Sequence, residues 1–129
     1  MSIFEIAEHF FKACESGEGW DGCAKYCIAD ATFSAEASGL DALGTLKEYA
    51  DWMSDLYDNV SSASYEIKGF AADETRDTVL AYAVFSATPK NKEKTFSTNY
   101  VYSIEFNGEQ IIHVTKIWND GYKIWNDSP

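Results

Sequence analysis

The apolar positions follow two different periods, and the change of period divides the chain. Before about residue 62 they recur every three or four residues; from Ser62 onward they alternate every second residue. In the first part, Ile3, Ala7, Phe10 and Cys14 form one stripe with Phe4 and Phe11 beside it, which predicts a helix from Ser2 to about Ser16. Ser2 and Glu5 have the spacing of a capping box, and Gly17 and Gly19 end the helix. A short helix is predicted from about Trp20 to Cys27. The segment Ala31-Thr-Phe-Ser-Ala-Glu-Ala37 then alternates as a short strand. Leu46, Tyr49, Ala50, Met53, Leu56 and Tyr57 give the clearest helical period, with Thr45 and Glu48 as a second capping box and Asp58-Asn59 as the close.

In the second part, strands are predicted at about 63–72, 77–88, 95–106 and 110–120. Asp73 to Arg76 reads as a turn. Pro89 to Lys94, with three lysines, reads as an exposed hairpin loop whose charge opposes edge pairing. Tyr122, Ile124 and Trp125 predict a tail that docks. Helices followed by a meander of long strands make an α+β fold with the helices on one sheet face.

At 129 residues the chain is one domain, residues 1–129, with enough apolar surface for its own core. Aromatic residues at 16% point either to a large pocket or association surface, or to an aromatic core. The net charge of −11, with Arg76 the one arginine, excludes a phosphate backbone or an anionic membrane surface as partner. Three cysteines, Cys14, Cys23 and Cys27, do not complete a disulfide framework. Cys23 and Cys27 sit four apart on the predicted second helix, but the histidines, His9 and His113, are far off in sequence, so a zinc site is not expected. Buried thiols in a reducing, cytoplasmic setting fit better. Glu5, Glu8, His9 and Lys12 interrupt any signal-peptide core, and no apolar run is long enough to span a membrane.

The densest chemistry lies in Gln110 to Asp120, where His113, Lys116, Trp118 and Asp120 share one β-branched, aromatic strand after the turn signal Asn107-Gly108. Ser-His-Asp order, a phosphate-binding glycine loop and a zinc signature are all lacking.

The order helix-helix-strand-helix followed by four long strands resembles the NTF2-like superfamily, which includes the SnoaL-like polyketide cyclases and the ketosteroid isomerases. The segment Tyr26-Cys-Ile-Ala-Asp-Ala-Thr-Phe33 is similar to that family's entry into its first strand. Phe106-Asn-Gly and Ile117-Trp118-Asn-Asp120 are similar to its close. The resemblance implies a cone-shaped fold, three helices packed on a curved, mostly antiparallel sheet. It implies a small-molecule pocket between helices and sheet, and a homodimer through the outer sheet face. The isomerase's catalytic tyrosine would fall on Phe10, its base near Ala35 and its second oxyanion acid on Tyr102; only Tyr102 keeps an ionisable hydroxyl. The resemblance therefore implies the cyclase-type branch, with acid–base groups on the final strands and no cofactor.

A one-residue slip exchanges the two faces of a strand, so the turn decides which side chains enter such a pocket. A two-residue turn at Asn107-Gly108 would put Tyr100 and Tyr102 with Ile111, His113, Thr115 and Ile117. A three-residue loop with Gly108 left-handed, pairing Glu105 with Glu109, would put them with Ile112, Val114, Lys116 and Trp118. The resemblance favours the second register. The pocket wall is then Tyr100, Tyr102, Lys116 and Trp118 with Asp120 at its end; Phe10, Trp52, Met53 and Tyr57 come from the helices, and Phe33 closes the bottom.

In that setting Asp120 is the candidate acid or base, its pKa raised by neighbouring rings, against a solvated carboxylate at a strand end. Lys116 would pair with Asp120 and polarise a carbonyl, or else snorkel to solvent. Tyr102 would donate to a developing oxyanion, or serve as a core tyrosine with a backbone partner. His113 takes the acid–base role in the first register, and in the second lies on the dimer face bonded to the neighbouring chain. The functional expectation is a cofactor-independent isomerase, cyclase or dehydratase acting on a small apolar carbonyl compound. The alternative is a non-catalytic ligand-binding or dimeric interaction protein.

Overall fold

The computed structural model describes residues 1–36, 40 and 42–118. Helix α1, Ile3–Glu15, begins on a complete capping box: Glu5 N donates to Ser2 Oγ at 3.2 Å, and Ser2 N donates to the Glu5 carboxylate at 3.3 Å. It buries Ile6, Ala7, Phe10, Phe11 and Cys14. Gly17, at φ +75°, turns the chain in a left-handed conformation open to glycine, and its Cα lies against the Tyr57 ring, where a Cβ would come within 2.4 Å of a ring carbon.

The second helix is shorter than its sequence suggests. Helix α2 spans Gly19–Cys23, a 3-10 turn covers Ala24–Tyr26, and strand β1, Cys27–Glu36, starts at the residue where the helix was predicted to end. Cys27 is extended and opposite Ile111, so sheet pairing overrides the helical spacing of the two cysteines. Both are buried, and Cys27 Sγ donates to the Cys23 carbonyl at 3.4 Å. All three thiols are free.

Helix α3, Leu46–Asp58, follows β1 and carries the second capping box, with Glu48 N donating to Thr45 Oγ1 at 3.1 Å and Thr45 N to Glu48 at 3.0 Å. Thr45 also bridges to Thr32, which ties the head of this helix to β1. Strands β2 (Val60–Asp73), β3 (Thr78–Pro89), β4 (Phe96–Asn107) and β5 (Gln110–Trp118) complete the chain that is described. The sheet order is β1-β5-β4-β3-β2, with β1 parallel to β5 and the other pairs antiparallel. The fold is thus α+β, a five-stranded mixed sheet with three helices, two of them before β1 and one between β1 and β2.

One sheet face is closed. Val79, Ala81 and Ala83 of β3, Tyr100, Tyr102, Ile104 and Phe106 of β4, and Ile111, Val114 and Lys116 of β5 are buried there. Phe11 of α1 packs against Tyr65, Phe70, Tyr100 and Tyr102 on that face. The opposite face leaves Leu80, Tyr82 and Ile117 between 43% and 48% exposed. Among the described residues, no helix is long and apolar enough to cross a membrane.

Candidate functional site

The direction of Lys116 is set near the β4–β5 turn. Gly108, at φ +63°, and Glu109 form the turn, with Asn107 opposite Gln110 and Phe106 opposite Ile111. The next pair is Glu105 with His113, so Ile112 is one residue in excess. From there Ile104 faces Val114, Tyr102 faces Lys116 and Tyr100 faces Trp118. From Val114 onward the side chains therefore segregate as the second register expects, but by a different device, and Ile111 rather than Ile112 is buried with Phe106. Glu105 does not pair with Glu109; a two-residue turn one place later is followed by a bulge at Ile112, which restores the phase.

Inside the closed face, Lys116 is 4% exposed and Glu15, the last residue of α1, is fully buried. Three phenols join them. Lys116 Nζ donates to Tyr49 Oη at 3.0 Å, the Tyr49 and Tyr102 hydroxyls are hydrogen-bonded to each other, and Tyr102 Oη donates to one Glu15 carboxylate oxygen at 2.8 Å. Tyr100 Oη donates to the other carboxylate oxygen. Because the single proton of Tyr102 is directed at Glu15, Tyr49 must be the donor to Tyr102. The bonds all run one way, from the ammonium through two hydroxyls to the carboxylate. Tyr57 Oη, donating to the Glu15 main-chain carbonyl, holds the helix end in place.

Among the described residues, four rings surround the ammonium. Nζ lies 4.4 Å from the Trp118 ring centroid, 4.9 Å from Tyr100, 5.3 Å from Tyr49 and 5.8 Å from Tyr102. Ring faces attract a cation, most strongly where water is excluded. Burial nevertheless holds Lys116 below the usual lysine range, opposed by the Glu15 carboxylate and then by Cys14. Burial pushes Glu15 above the usual glutamate range, opposed by Lys116 and by the hydrogen bonds from Tyr100 and Tyr102. The phenols of Tyr49, Tyr100 and Tyr102 are driven upward, first by burial and then by Glu15, and so remain protonated donors. The carboxylate and the ammonium, pushed toward one another in proton affinity and linked by hydroxyls, can exchange a proton without solvent.

The other residues singled out in the sequence pack around this chain. Phe33 stacks on Tyr49 at 4.2 Å between centroids, and Trp52 lies on the same ring at 6.0 Å. Phe10 and Met53 are buried in the core, and Tyr57 is half-buried beside Glu15. Trp118 is half-buried, and its indole Nε1 is buried without a hydrogen-bond partner among the described residues. Asp120 lies outside the described residues, as do Tyr122, Ile124 and Trp125; the described hydrogen-bond partner of Lys116 is Tyr49. An open depression of about 380 Å³ is bordered by Tyr82, Asn99, Tyr100, Val101, Ile117 and Trp118. Tyr82, Val101 and Ile117 are cross-strand neighbours on the outer face, so this depression lies on the side of the sheet away from Lys116.

His113 does point to the outer face. There its ring nitrogens meet hydroxyls of its own chain. Nδ1 is 2.7 Å from Thr32 Oγ1, and Nε2 is 3.0 Å from Ser34 Oγ and 3.1 Å from Thr115 Oγ1.

Glu15 and Tyr49 are the members of the chain that the sequence reading did not single out. A trace of Glu15 was there: it stands four residues after Phe11, at a position a core-facing helix normally fills with an apolar side chain. Tyr49 belongs to the apolar stripe of its helix, and nothing in the sequence says where a phenol's hydroxyl points.

No protein-family model matches this chain, and none of the curated proteins does. Solved structures do match. An NTF2-like protein from Burkholderia thailandensis superimposes with a TM-score of 0.74 at 12% identity, covering 100% of this chain and 99% of that one. A protein with a ketosteroid isomerase-like fold from Catenulispora acidiphila, in complex with trimethylamine, gives 0.69 at 19% identity, over 87% and 83% of the two chains. An epoxide hydrolase of M. tuberculosis, similar to the LEH enzyme, gives 0.69 at 15% identity, over 94% and 86%. At these identities the likeness is one of fold.

Proposed function

We propose, for a chain that has the NTF2-like fold, that it binds a small, mostly apolar carbonyl compound and moves a proton on it without a cofactor, by isomerisation, cyclisation or dehydration. The observation that supports this reading is the inward Lys116 at the head of a one-way hydrogen-bond chain ending on Glu15. Buried, linked titratable groups cost stability and are concentrated where chemistry is done. A carbonyl oxygen placed beside Lys116 would meet an ammonium that still has N–H groups to give, backed by the Tyr49 and Tyr102 hydroxyls. The ammonium strengthens its hydrogen bond as negative charge develops on that oxygen. Phe10, Phe33, Trp52, Met53, Tyr57, Tyr100 and Trp118 would surround the apolar part of the ligand, and Asp120 would take the proton from carbon. The outer face, with Leu80, Tyr82 and Ile117 exposed, would be the surface of a homodimer.

A panel of small aldehydes and ketones incubated with the protein in D2O tests this reading. Deuterium should enter next to the carbonyl of at least one compound faster than in buffer. Lys116→Met and Asp120→Asn should each lower that rate by about a hundredfold, the usual weight of one acid–base group. A second reading, binding without chemistry, is favoured by the complete pairing of Glu15, Tyr49, Tyr100 and Tyr102. Ligands that raise Tm but exchange no hydrogen would establish it instead.

A further inference from the structure

Hydrogen bonding is the weaker of two things that Lys116 can do to a carbonyl group. We propose that Lys116 is an amine nucleophile that condenses with the carbonyl carbon of a small aldehyde or ketone, and that Glu15 stores the proton the amine must give up. The proposal builds on the reading of this cluster as a carbonyl site and adds a covalent step to it.

Three features of the cluster carry it. The first is the sense of the hydrogen bonds. Lys116 gives a proton to Tyr49, Tyr49 passes its own to Tyr102, and Tyr102 passes its own to Glu15. Each hydroxyl gains one proton and loses one, and an ion pair becomes a neutral amine and a neutral acid. The second is the surroundings of Nζ. Glu15 and Cys14 face it from α1, Tyr49 from α3, Tyr100 and Tyr102 from β4, and Trp118 from β5. Among the described residues Glu15 is the one carboxylate in that set, and it is held by two phenols. Burial disfavours the charged forms of both ends of the chain. The third is the ring cage, which suits a cationic iminium as well as it suits an ammonium.

The step balances. The nitrogen lone pair attacks the carbonyl carbon, the C=O π pair moves to oxygen, and an N–H proton follows it, giving a carbinolamine. The stored proton returns from Glu15 through Tyr102 and Tyr49 to the carbinolamine hydroxyl, which leaves as water as the C=N bond forms. The products are an iminium on Lys116, a Glu15 carboxylate and one water, with no change of oxidation state. Trp118 is the cover of this site: it is half-buried, whereas Tyr49, Tyr100 and Tyr102 are no more than 2% exposed.

The test uses the intact protein with acetaldehyde and sodium cyanoborohydride, whose hydride converts an iminium into a stable secondary amine. Peptide mass mapping reads the label at every lysine between pH 6 and pH 9. Exposed lysines lose about tenfold in neutral amine for each pH unit below their ordinary value. Lys116 should lose less, and should outpace them by about tenfold at pH 7. Trp118→Ala, which removes the cover, should speed its labelling further. Absence of label at Lys116 in both proteins overturns the proposal, and so does label confined to Trp118→Ala. A pH dependence equal to that of the exposed lysines also overturns it. Hydrogen exchange without label at Lys116 leaves the proton-transfer reading standing and removes the covalent step; label without exchange keeps the amine and removes that reading.

Discussion

At the scale of single residues, the cost of Glu15 and Lys116 depends on their being together. Removing one partner of a buried charged pair strands the other, at about 3 kcal/mol, whereas replacing both can be close to neutral. Glu15→Gln and Lys116→Met should each cost about that much in urea unfolding, and the double variant should cost clearly less than their sum. The pH dependence has a definite sign. The folded-state pKa of Glu15 is raised, so its contribution to stability is fully present below the ordinary glutamate value of about 4.3 and is lost as pH rises through the raised value. Urea midpoints measured upward from pH 4 should therefore fall in the native protein by an amount that Glu15→Gln does not show. Lys116 is shifted the other way: its contribution is present above the ordinary lysine value of about 10.4 and declines as pH falls through the lowered one.

At the scale of elements, local chemistry was legible and distant contact was not. Both capping boxes stand where Ser2-Glu5 and Thr45-Glu48 place them, because a cap needs only residues three apart. Thr45→Ala should lower stability by about 1 kcal/mol, read by thermal or urea unfolding. Strand positions followed from alternation, whereas the parallel pairing of β1 with β5 joins residues some eighty apart that carry no local sign of it. The same holds for Glu15: its hydrogen bonds reach 85 and 87 residues along the chain, to Tyr100 and Tyr102. The second helix is shorter than its pattern predicts because four-residue spacing of cysteines looks helical until a sheet claims the second one. Gly17 ties two helices to the site. An alanine there faces both a left-handed backbone and the Tyr57 ring, and should cost about 2 kcal/mol or more, the upper end for a left-handed residue. It should also loosen the Tyr57 bond to the Glu15 carbonyl, seen as faster amide exchange at the end of α1.

At the scale of the whole molecule, the two sheet faces differ in what they carry. One carries the buried relay, and the other carries Tyr82, Val101 and Ile117 in a cross-strand row, with His113 held by three hydroxyls of its own chain nearby. An exposed aromatic and aliphatic row on a sheet suits a second copy of the chain, the association proposed above. Ile117→Lys together with Tyr82→Lys should shift sedimentation from dimer to monomer while leaving aldehyde labelling of Lys116 in place. A chain that sediments as a monomer without these changes would remove the dimer and leave the interior chemistry untouched.

The surplus residue at Ile112 makes inside and outside a matter of counting. If every residue were paired from the same turn, with no bulge, Lys116 would stand across from Val101 instead of Tyr102, and His113 would swing to the inner face opposite Ile104. One unpaired residue is thus what keeps a lysine rather than a histidine on the inner side of this strand. A chain shortened by Ile112 should accordingly lose the kink and keep Tyr102 across from Lys116, so its interior should take up the aldehyde as before.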